Sequence, residues 1–198
     1  MKKIVLLLLA VTMVFAFAGC QKTELTRGTF DGSIYKNDLM HFEFEKPESW
    51  VYSTDEEIAA TLNVGVEYLG KDSFKNALKN NPSVYDMMVV DTITRTNINV
   101  GYENLAKTLS SNITVEQYIE ALKQQLADVS AMKVTFPDKY DTVTLGKTEF
   151  TRVVCDVTAS GASMTQVYYL HKMDGYMGFI IVTLVSGYTV ADVEAMFK

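Results

Sequence analysis

Residues 149–185, with the sequence EFTRVVCDVTASGASMTQVYYLHKMDGYMGFIIVTLV, decide the fold of this chain. Three runs that are rich in β-branched and aromatic residues predict three strands: Glu149–Thr158, Met164–Lys172 and Tyr176–Val185. Ser160-Gly161-Ala162 and Asp174-Gly175 separate these runs and have the chemistry of tight turns. The stretch therefore predicts an antiparallel meander, and its last, almost wholly apolar strand is expected near the centre of a sheet.

Further strands and helices are predicted before and after this meander. Alternating or continuous apolar residues predict strands at Ser33–Lys36, Met40–Lys46, Tyr85–Ile93, Asn97–Tyr102, Lys133–Phe136 and Thr142–Leu145. Capping residues followed by apolar periodicity predict helices after Thr54, at Ser73–Asn80, after Thr114 and after Thr189. The predicted fold class is α+β, with a mostly antiparallel β-sheet sandwiched by helices.

The first residues of the chain predict export. Met1 to Lys3 form a basic start, and Ile4 to Ala18 form an apolar run of 15 residues that ends just before Gly19 and Cys20. This order is typical of a secretory signal peptide. The sequence Phe17-Ala18-Gly19-Cys20 also resembles the bacterial lipoprotein signal. That resemblance implies that Cys20 receives a diacylglycerol thioether and becomes the first residue of the mature protein.

Two other interpretations of this segment are a cleaved signal peptide without a lipid and a transmembrane helix. The apolar run of 15 residues is shorter than the roughly 20 residues that span a bilayer core. We therefore divide the chain into a signal peptide (1–19), a lipidated cysteine with its tether (20–29) and a single domain (30–198). The protein is expected to be extracytoplasmic and lipid-anchored to the cell membrane through Cys20.

Charge and cysteine content narrow the classes of partner. Without the signal peptide, 16 basic and 24 acidic residues remain, which gives a formal charge of −8. An acidic body of this kind has no electrostatic footprint for nucleic acid and is repelled by anionic lipid. Once Cys20 is lipidated, only Cys155 is left, so no internal disulfide forms.

Short sequences in the first half of the domain resemble the PsbP/Mog-type fold. The resemblance is carried by Tyr35-Lys36-Asn37, Phe42-Glu43-Phe44 and Pro47-Glu48-Ser49-Trp50. The chain is also similar to Gram-positive envelope lipoproteins, through Tyr85-Asp86-Met87-Met88 and the segment 99–105. These resemblances imply a PsbP-like scaffold whose members are mostly non-enzymatic binding or assembly proteins. They imply no ligand-binding residue for this chain.

Several residues are candidates for chemistry, but each has a simpler structural interpretation. Cys155 alternates with Val153 and Val157, which is typical of a buried apolar thiol with a raised pKa. His41 and His171 are expected on strands, and no zinc-type spacing surrounds them. Asp55, Glu56 and Glu57 fall in the first turn of a predicted helix, where carboxylates interact favourably with the helix dipole.

Three further features are interpreted in the same way. Lys71, Lys75 and Lys79 form a basic stripe on a predicted helix, which is more often a solvated face than a partner site. Trp50 is expected to close one end of the sandwich. Four tyrosines near predicted strand ends are candidates for the rim of a groove, although core packing is the simpler interpretation: Tyr102, Tyr140, Tyr168 and Tyr188.

The sequence contains no Gly-rich phosphate loop, nucleophile elbow or Ser-x-x-Lys motif. We therefore predict no catalytic residue, no cofactor and no metal ligand, with Cys20 as the only modified position. The expected function is that of a non-enzymatic binding or assembly module that binds an envelope protein or a small-molecule ligand. An envelope hydrolase with an unrecognised pocket and a solute receptor component are the alternatives.

Overall fold

A computed structural model describes residues 25–62 and 69–198 of the chain. The predicted signal peptide and Cys20 lie outside the described residues. The strands are β1 Thr29–Asp31, β2 Ile34–Asn37, β3 Phe42–Glu45, β4 Trp50–Tyr52, β5 Ser83–Asp91, β6 Asn97–Asn104, β7 Met132–Thr135, β8 Asp141–Leu145, β9 Thr148–Ala159, β10 Ala162–Met173 and β11 Tyr176–Leu184. The helices are α1 Asp55–Leu62, α2 Lys71–Asn80, α3 Leu105–Thr108, α4 Val115–Ala127 and α5 Val190–Glu194.

Eight strands form one large sheet with the order β4-β5-β6-β11-β10-β9-β7, and β8 pairs with the other half of β9 on the same edge. All of these pairings are antiparallel, as are those of the separate sheet β1-β2-β3. The predicted α+β class with a mostly antiparallel sheet is confirmed. The central position predicted for the last strand is also confirmed, because β11 lies between β6 and β10.

The large sheet has two faces, and its first face is closed by several elements. We define this face by Val100 on β6 and Ile180 on β11, which pair directly across the two strands. The small sheet contributes Phe42 and Phe44 to the core on this side, and α2 contributes Phe74. Residues 196–198 extend the small sheet, because Lys198 and Glu43 exchange two backbone hydrogen bonds of 2.8 and 2.9 Å.

The second face presents Cys155 and Phe179 and is covered by α4. Thr114 begins this helix with a capping box that it shares with Gln117, as the sequence predicts. Tyr118 and Ile119 are buried against the sheet. Helix α4 packs on β7 and β10, and the short helix α3 contacts β6 and β11.

Several strand boundaries differ from the predicted ones, and for two of them the structure shows a local cause. Strand β3 begins at Phe42 and not at Met40, because Asn37 accepts a hydrogen bond from the Met40 backbone N–H and closes a turn. Strand β5 ends at Asp91 and not at Ile93. The Asp91 carboxylate accepts the backbone N–H groups of Ile93 and Thr94, so these donors satisfy a turn instead of a ladder.

Among the helices of residues 25–62 and 69–198, none combines the length and the apolar character needed to cross a bilayer.

Candidate functional site

The thiol of Cys155 is unsuited to nucleophilic chemistry. Its side chain is fully buried on the second face of the large sheet. Burial, followed by the nearby Asp156 carboxylate, raises the pKa of the thiol to about 12. Since the thiolate is the reactive form, Cys155 acts as a small apolar core residue, as the sequence predicts.

Neither histidine belongs to a group of metal-ligand side chains among the described residues. His41 lies in the turn before β3 with a φ of 51°, so its expected position on a strand is wrong. His171 lies on β10, and its Nδ1 is 3.0 Å from the backbone oxygen of Glu149. In the part of the chain that the structure describes, no three His, Cys, Asp or Glu side chains come together as a metal site.

The acidic residues after Thr54 cap a helix, but one of them has a second role. Thr54 and Glu57 form the predicted capping box, with hydrogen bonds of 2.8 and 3.3 Å. Asp55 binds the guanidinium of Arg27 through two hydrogen bonds of 2.7 and 2.9 Å. This pair attaches residues that the sequence assigns to the tether to the first helix of the domain.

A set of buried polar groups lies beside this pair on the first face, and we call it the Asp86 cluster: Arg27, Gly28, Tyr35, Asn37, Asp86 and Tyr102. Its central carboxylate is on β5, at a β-bulge where the register with β6 shifts. Asp86 has no exposed surface. A bulge turns one extra side chain out of the regular alternation, which explains how a carboxylate enters this core.

Every side of the Asp86 carboxylate is occupied. Tyr35 donates its hydroxyl at 2.7 Å, and the backbone N–H of Gly28 donates at 3.1 Å. Arg27 Nε lies 3.4 Å from the other oxygen. Burial raises the pKa of Asp86, and these donors and the Arg27 charge partly offset that rise. The cluster is therefore closed to any external ligand.

The tyrosines of the cluster are locked in the protonated state. Asn37 Nδ2 donates to the hydroxyls of both Tyr35 and Tyr102 at 2.7 Å. Burial, and then the Asp86 charge, raises the pKa of each phenol well above its ordinary value. Tyr102 is thus a core residue and not the groove residue that the sequence also allowed.

The other groove candidates do not converge on one site. Tyr168 is buried on the second face, and Tyr140 lies under the Lys123 ammonium, which is 5.5 Å from the ring centroid. Tyr188 accepts a hydrogen bond of 3.0 Å from the indole of Trp50 and packs edge-on against it. Trp50 is fully buried at the start of β4, so its predicted packing role is confirmed.

The basic stripe on α2 points to solvent where the structure describes it. Lys75 and Lys79 are exposed, and neither makes an ion pair with the described residues. This agrees with the interpretation of the stripe as a solvated helix face.

A cavity of about 540 Å³ lies on the second face, between α4 and the ends of β5 and β6. We call it the Glu103 pocket, and its lining includes Ser83, Glu103, Leu109, Tyr118, Leu122 and Gln125. Small-molecule sites commonly have volumes of about 300–1,000 Å³. The pocket therefore has room for a ligand of moderate size.

One polar contact organises the Glu103 pocket. Tyr118, on α4, donates its hydroxyl to Oε2 of Glu103 at 2.6 Å. Burial, followed by the Glu103 charge, raises the pKa of Tyr118, so the phenol stays protonated and continues to donate. The other oxygen, Oε1, accepts no hydrogen bond from the described residues. Glu103 is only half-buried and is thus a carboxylate held in place with free acceptor capacity.

A second concavity, also of about 540 Å³, lies beside the end of β11 and the start of α5. Its acidic residue, Asp156, is exposed, as are Thr158 and Ser163. In the described part of the chain, no buried side chain donates a hydrogen bond to these groups in the way that Tyr118 donates to Glu103. The Glu103 pocket is therefore the better candidate for a binding site.

Sequence reasoning missed both Asp86 and Glu103. Asp86 gave a usable signal, since it is a single charged residue in the otherwise apolar run 84–90 with Tyr85. Glu103 gave none, because Tyr118 belongs to the apolar stripe of α4 and meets it only through the tertiary fold.

No protein-family model matches the chain, and no curated protein matches it. Among solved structures, it is similar to the solution structure of the cyanobacterial PsbP protein CyanoP from Synechocystis sp. PCC 6803. The two are 12% identical, the match covers 92% of this chain and 98% of that one, and the TM-score is 0.49.

A second similar structure is a crystal structure from Bacteroides thetaiotaomicron VPI-5482. It is 9% identical over 88% of this chain and 48% of that chain, with a TM-score of 0.33. The present chain therefore spans about half the length of that protein.

Proposed function

We propose that this chain is an exported lipoprotein, anchored through Cys20, that acts as a non-enzymatic binding module outside the cytoplasmic membrane. The Glu103 pocket is its ligand site. The observation that carries the binding role is a carboxylate with a free oxygen, oriented by the buried Tyr118 hydroxyl at 2.6 Å and facing a cavity. Binding sites commonly combine a largely preformed cavity with a few oriented polar groups.

The lipid anchor is supported by the sequence Phe17-Ala18-Gly19-Cys20. Five peptide units separate Cys20 from Leu25, and they span at most about 17 Å. Leu25 packs against the first-face core, and Arg27 and Gly28 bind Asp86. With this attachment, the proposed anchor holds the domain within a short distance of the membrane surface.

Labelling with palmitate tests the anchor. Cells that express the full chain are grown with a labelled fatty acid, and the protein is recovered from the membrane fraction. We expect label in the native protein and none in Cys20→Ala, which also leaves the membrane fraction. Label retained in Cys20→Ala, or a native protein without label, would contradict the proposed anchor.

A thermal-shift screen tests the binding role on the full-length protein purified from membranes in detergent. Small molecules and short peptides that raise the melting temperature are re-tested on Ala121→Trp, in which an indole fills part of the pocket. Ala127→Trp, at an exposed position on the same helix, is the matched control. We expect the stabilising effect to disappear only in Ala121→Trp.

Two results would replace the proposal. Ligands whose effect is equal in both tryptophan variants do not use the Glu103 pocket. Reproducible turnover of a substrate that is abolished by one polar substitution would favour the envelope hydrolase.

A further inference from the structure

We infer that the Glu103 pocket binds an alkylammonium group, with Glu103 as its counter-ion; this inference rests on the proposed binding function. Among the residues whose burial the structure describes, five carboxylates are not exposed: Asp55, Asp86, Asp91, Glu103 and Glu194. Their partners differ in a way that singles out one of them.

Four of these carboxylates have a cation or backbone donors as partners. Asp55 and Asp86 interact with Arg27, and Glu194 forms an ion pair of 2.8 Å with Arg152. Asp91 accepts backbone N–H groups at the β5–β6 turn. Glu103 accepts only the neutral hydroxyl of Tyr118 from the described residues. It is therefore the one member of this set without a balancing charge or backbone donor.

The charges of the residues that line the cavity in front of Glu103 also favour a cationic ligand. Among the described residues that line it there is no lysine, arginine or histidine, and Asp128 adds a second carboxylate. Lys107, four positions along the chain, is exposed and makes no ion pair with Glu103. A ligand that brings a positive charge supplies the missing partner of a partly desolvated carboxylate.

Apolar side chains in the same cavity indicate that the expected cation is organic. Leu109, Ala121 and Leu122 line the same cavity, and Leu109 is 45% exposed although it is a large apolar residue. An alkyl chain covers these groups while its ammonium reaches Glu103. An inorganic cation leaves them uncovered, and no metal-type grouping of ligands occurs in the described ranges.

An alkylammonium group has two natural sources, a free amine and a lysine side chain of another protein. Both present the same chemistry to the pocket. Isothermal titration of the full-length protein in detergent separates them, with 5-amino-1-pentanol as one probe and the peptide acetyl-Gly-Lys-Gly-amide as the other. The neutral controls are 1,5-pentanediol and the same peptide acetylated on its lysine.

The expected result is saturable 1:1 binding of 5-amino-1-pentanol, at least tenfold tighter than that of 1,5-pentanediol. Glu103→Gln keeps the shape of the side chain and removes the charge, so it should abolish this preference. Glu120→Gln changes the net charge equally on the exposed side of α4 and should keep it.

The other outcomes of the titration either identify the source of the ammonium group or contradict the inference. If the lysine peptide competes with 5-amino-1-pentanol, the natural source is a protein lysine. If 5-amino-1-pentanol binds and the peptide does not compete, the source is a free amine. Equal affinity for amine and diol, no amine binding, or a preference that survives Glu103→Gln would overturn the inference. If neutral ligands then still respond to Ala121→Trp, the proposed binding function stands; if none does, both fall.

Discussion

Asp86 and Glu103 are carboxylates on neighbouring strands of one sheet, and each accepts a tyrosine hydroxyl, at 2.7 and 2.6 Å. Asp86 lies on the first face with no exposed surface and is surrounded by donors. Glu103 lies half-buried on the second face, faces a cavity, and has one oxygen that accepts no hydrogen bond from the described residues. Both carboxylates accept a tyrosine hydroxyl, but Asp86 is fully enclosed by other donors and Glu103 faces a cavity.

The difference separates two uses of a buried polar group. A carboxylate whose acceptors are all occupied joins parts of the fold, here the β1 entry, β2 and β5. A carboxylate that is oriented but not saturated has interaction capacity left for a ligand. We therefore expect substitutions at Asp86 to lower stability much more than substitutions at Glu103.

The largest expected effect is that of Asp86→Ala, which leaves Arg27, Tyr35 and Asn37 without their buried partner. Breaking a buried ion pair from one side costs about 3–5 kcal/mol in the free energy of unfolding. Glu103→Ala should cost less than about 1 kcal/mol, because water reaches that site. Chemical denaturation of both variants measures the contrast. Equal losses would mean that the Glu103 site is also part of the structural framework.

Substitution of Arg27 should have the next largest effect. Arg27→Ala removes the counter-ion of Asp86, but Tyr35 and Gly28 still donate hydrogen bonds to the carboxylate. The free energy of unfolding should therefore fall by about 2–3 kcal/mol. Arg27→Lys keeps a charge but not the two-point contact with Asp55, and an intermediate loss should result. Limited proteolysis near residue 27 provides a second readout. An unchanged unfolding midpoint in Arg27→Ala would show that this attachment adds no stability.

The matched pair Tyr35→Phe and Tyr118→Phe isolates the two hydroxyls. In Tyr35→Phe, Asp86 and Asn37 each lose a buried partner, and a cost of about 1–3 kcal/mol is expected. In Tyr118→Phe, water replaces the phenol at a half-exposed carboxylate, and the cost should stay below about 1 kcal/mol. Denaturant titrations run side by side give both values. A larger loss in Tyr118→Phe would reverse the comparison.

The smallest expected effect is a pH dependence carried by Asp86. Burial raises its pKa in the folded state above the ordinary value of 3.8. Just above that pH the folded state holds the proton more tightly than the unfolded state, so this contribution to stability falls as the pH rises. The stability difference between the native protein and Asp86→Asn should therefore decrease with pH through this window.

Asp91 on the same strand provides a control of opposite sign. The hydrogen bond from the Thr94 hydroxyl is the main cause of the lowered pKa of Asp91. Its contribution is complete above the unfolded pKa and is lost as the pH falls, so the difference between native protein and Asp91→Asn should increase with pH. Parallel slopes for the two variants would show that Asp86 is not destabilised by burial.

Most of the fold could be predicted because it depends on local patterns. The meander of β9, β10 and β11 follows from short-range alternation and turn residues, and the capping boxes of α1, α4 and α5 follow from residues three positions apart. The displaced boundaries at Met40 and Asp91 depend on single side chains that bind backbone groups of a turn. Periodicity alone does not contain that information.

The candidate site could not be predicted because its parts meet only in three dimensions. Glu103 is the second-last residue of β6 and Tyr118 belongs to an apolar stripe, so neither sequence pattern predicts a polar contact between them. Arg27 belongs to a polar segment without periodicity, although its side chain binds residues on α1 and β5. Pairs of this kind are set by sheet topology and by a β-bulge, which short sequence windows do not contain.

The pairing of residues 196–198 with β3 has a consequence for the kinetics of folding. Lys198 and Glu45 are 153 positions apart, and Phe197 packs on Phe42 and Phe44 with ring centroids 5.3 and 5.1 Å away. A chain that is synthesised from its first residue cannot make these contacts until residue 198 has been added. Such distant contacts also slow folding, because a long loop must be closed before they form. We therefore expect the pairing of residues 196–198 with β3 to form later than the local pairing of β1, β2 and β3.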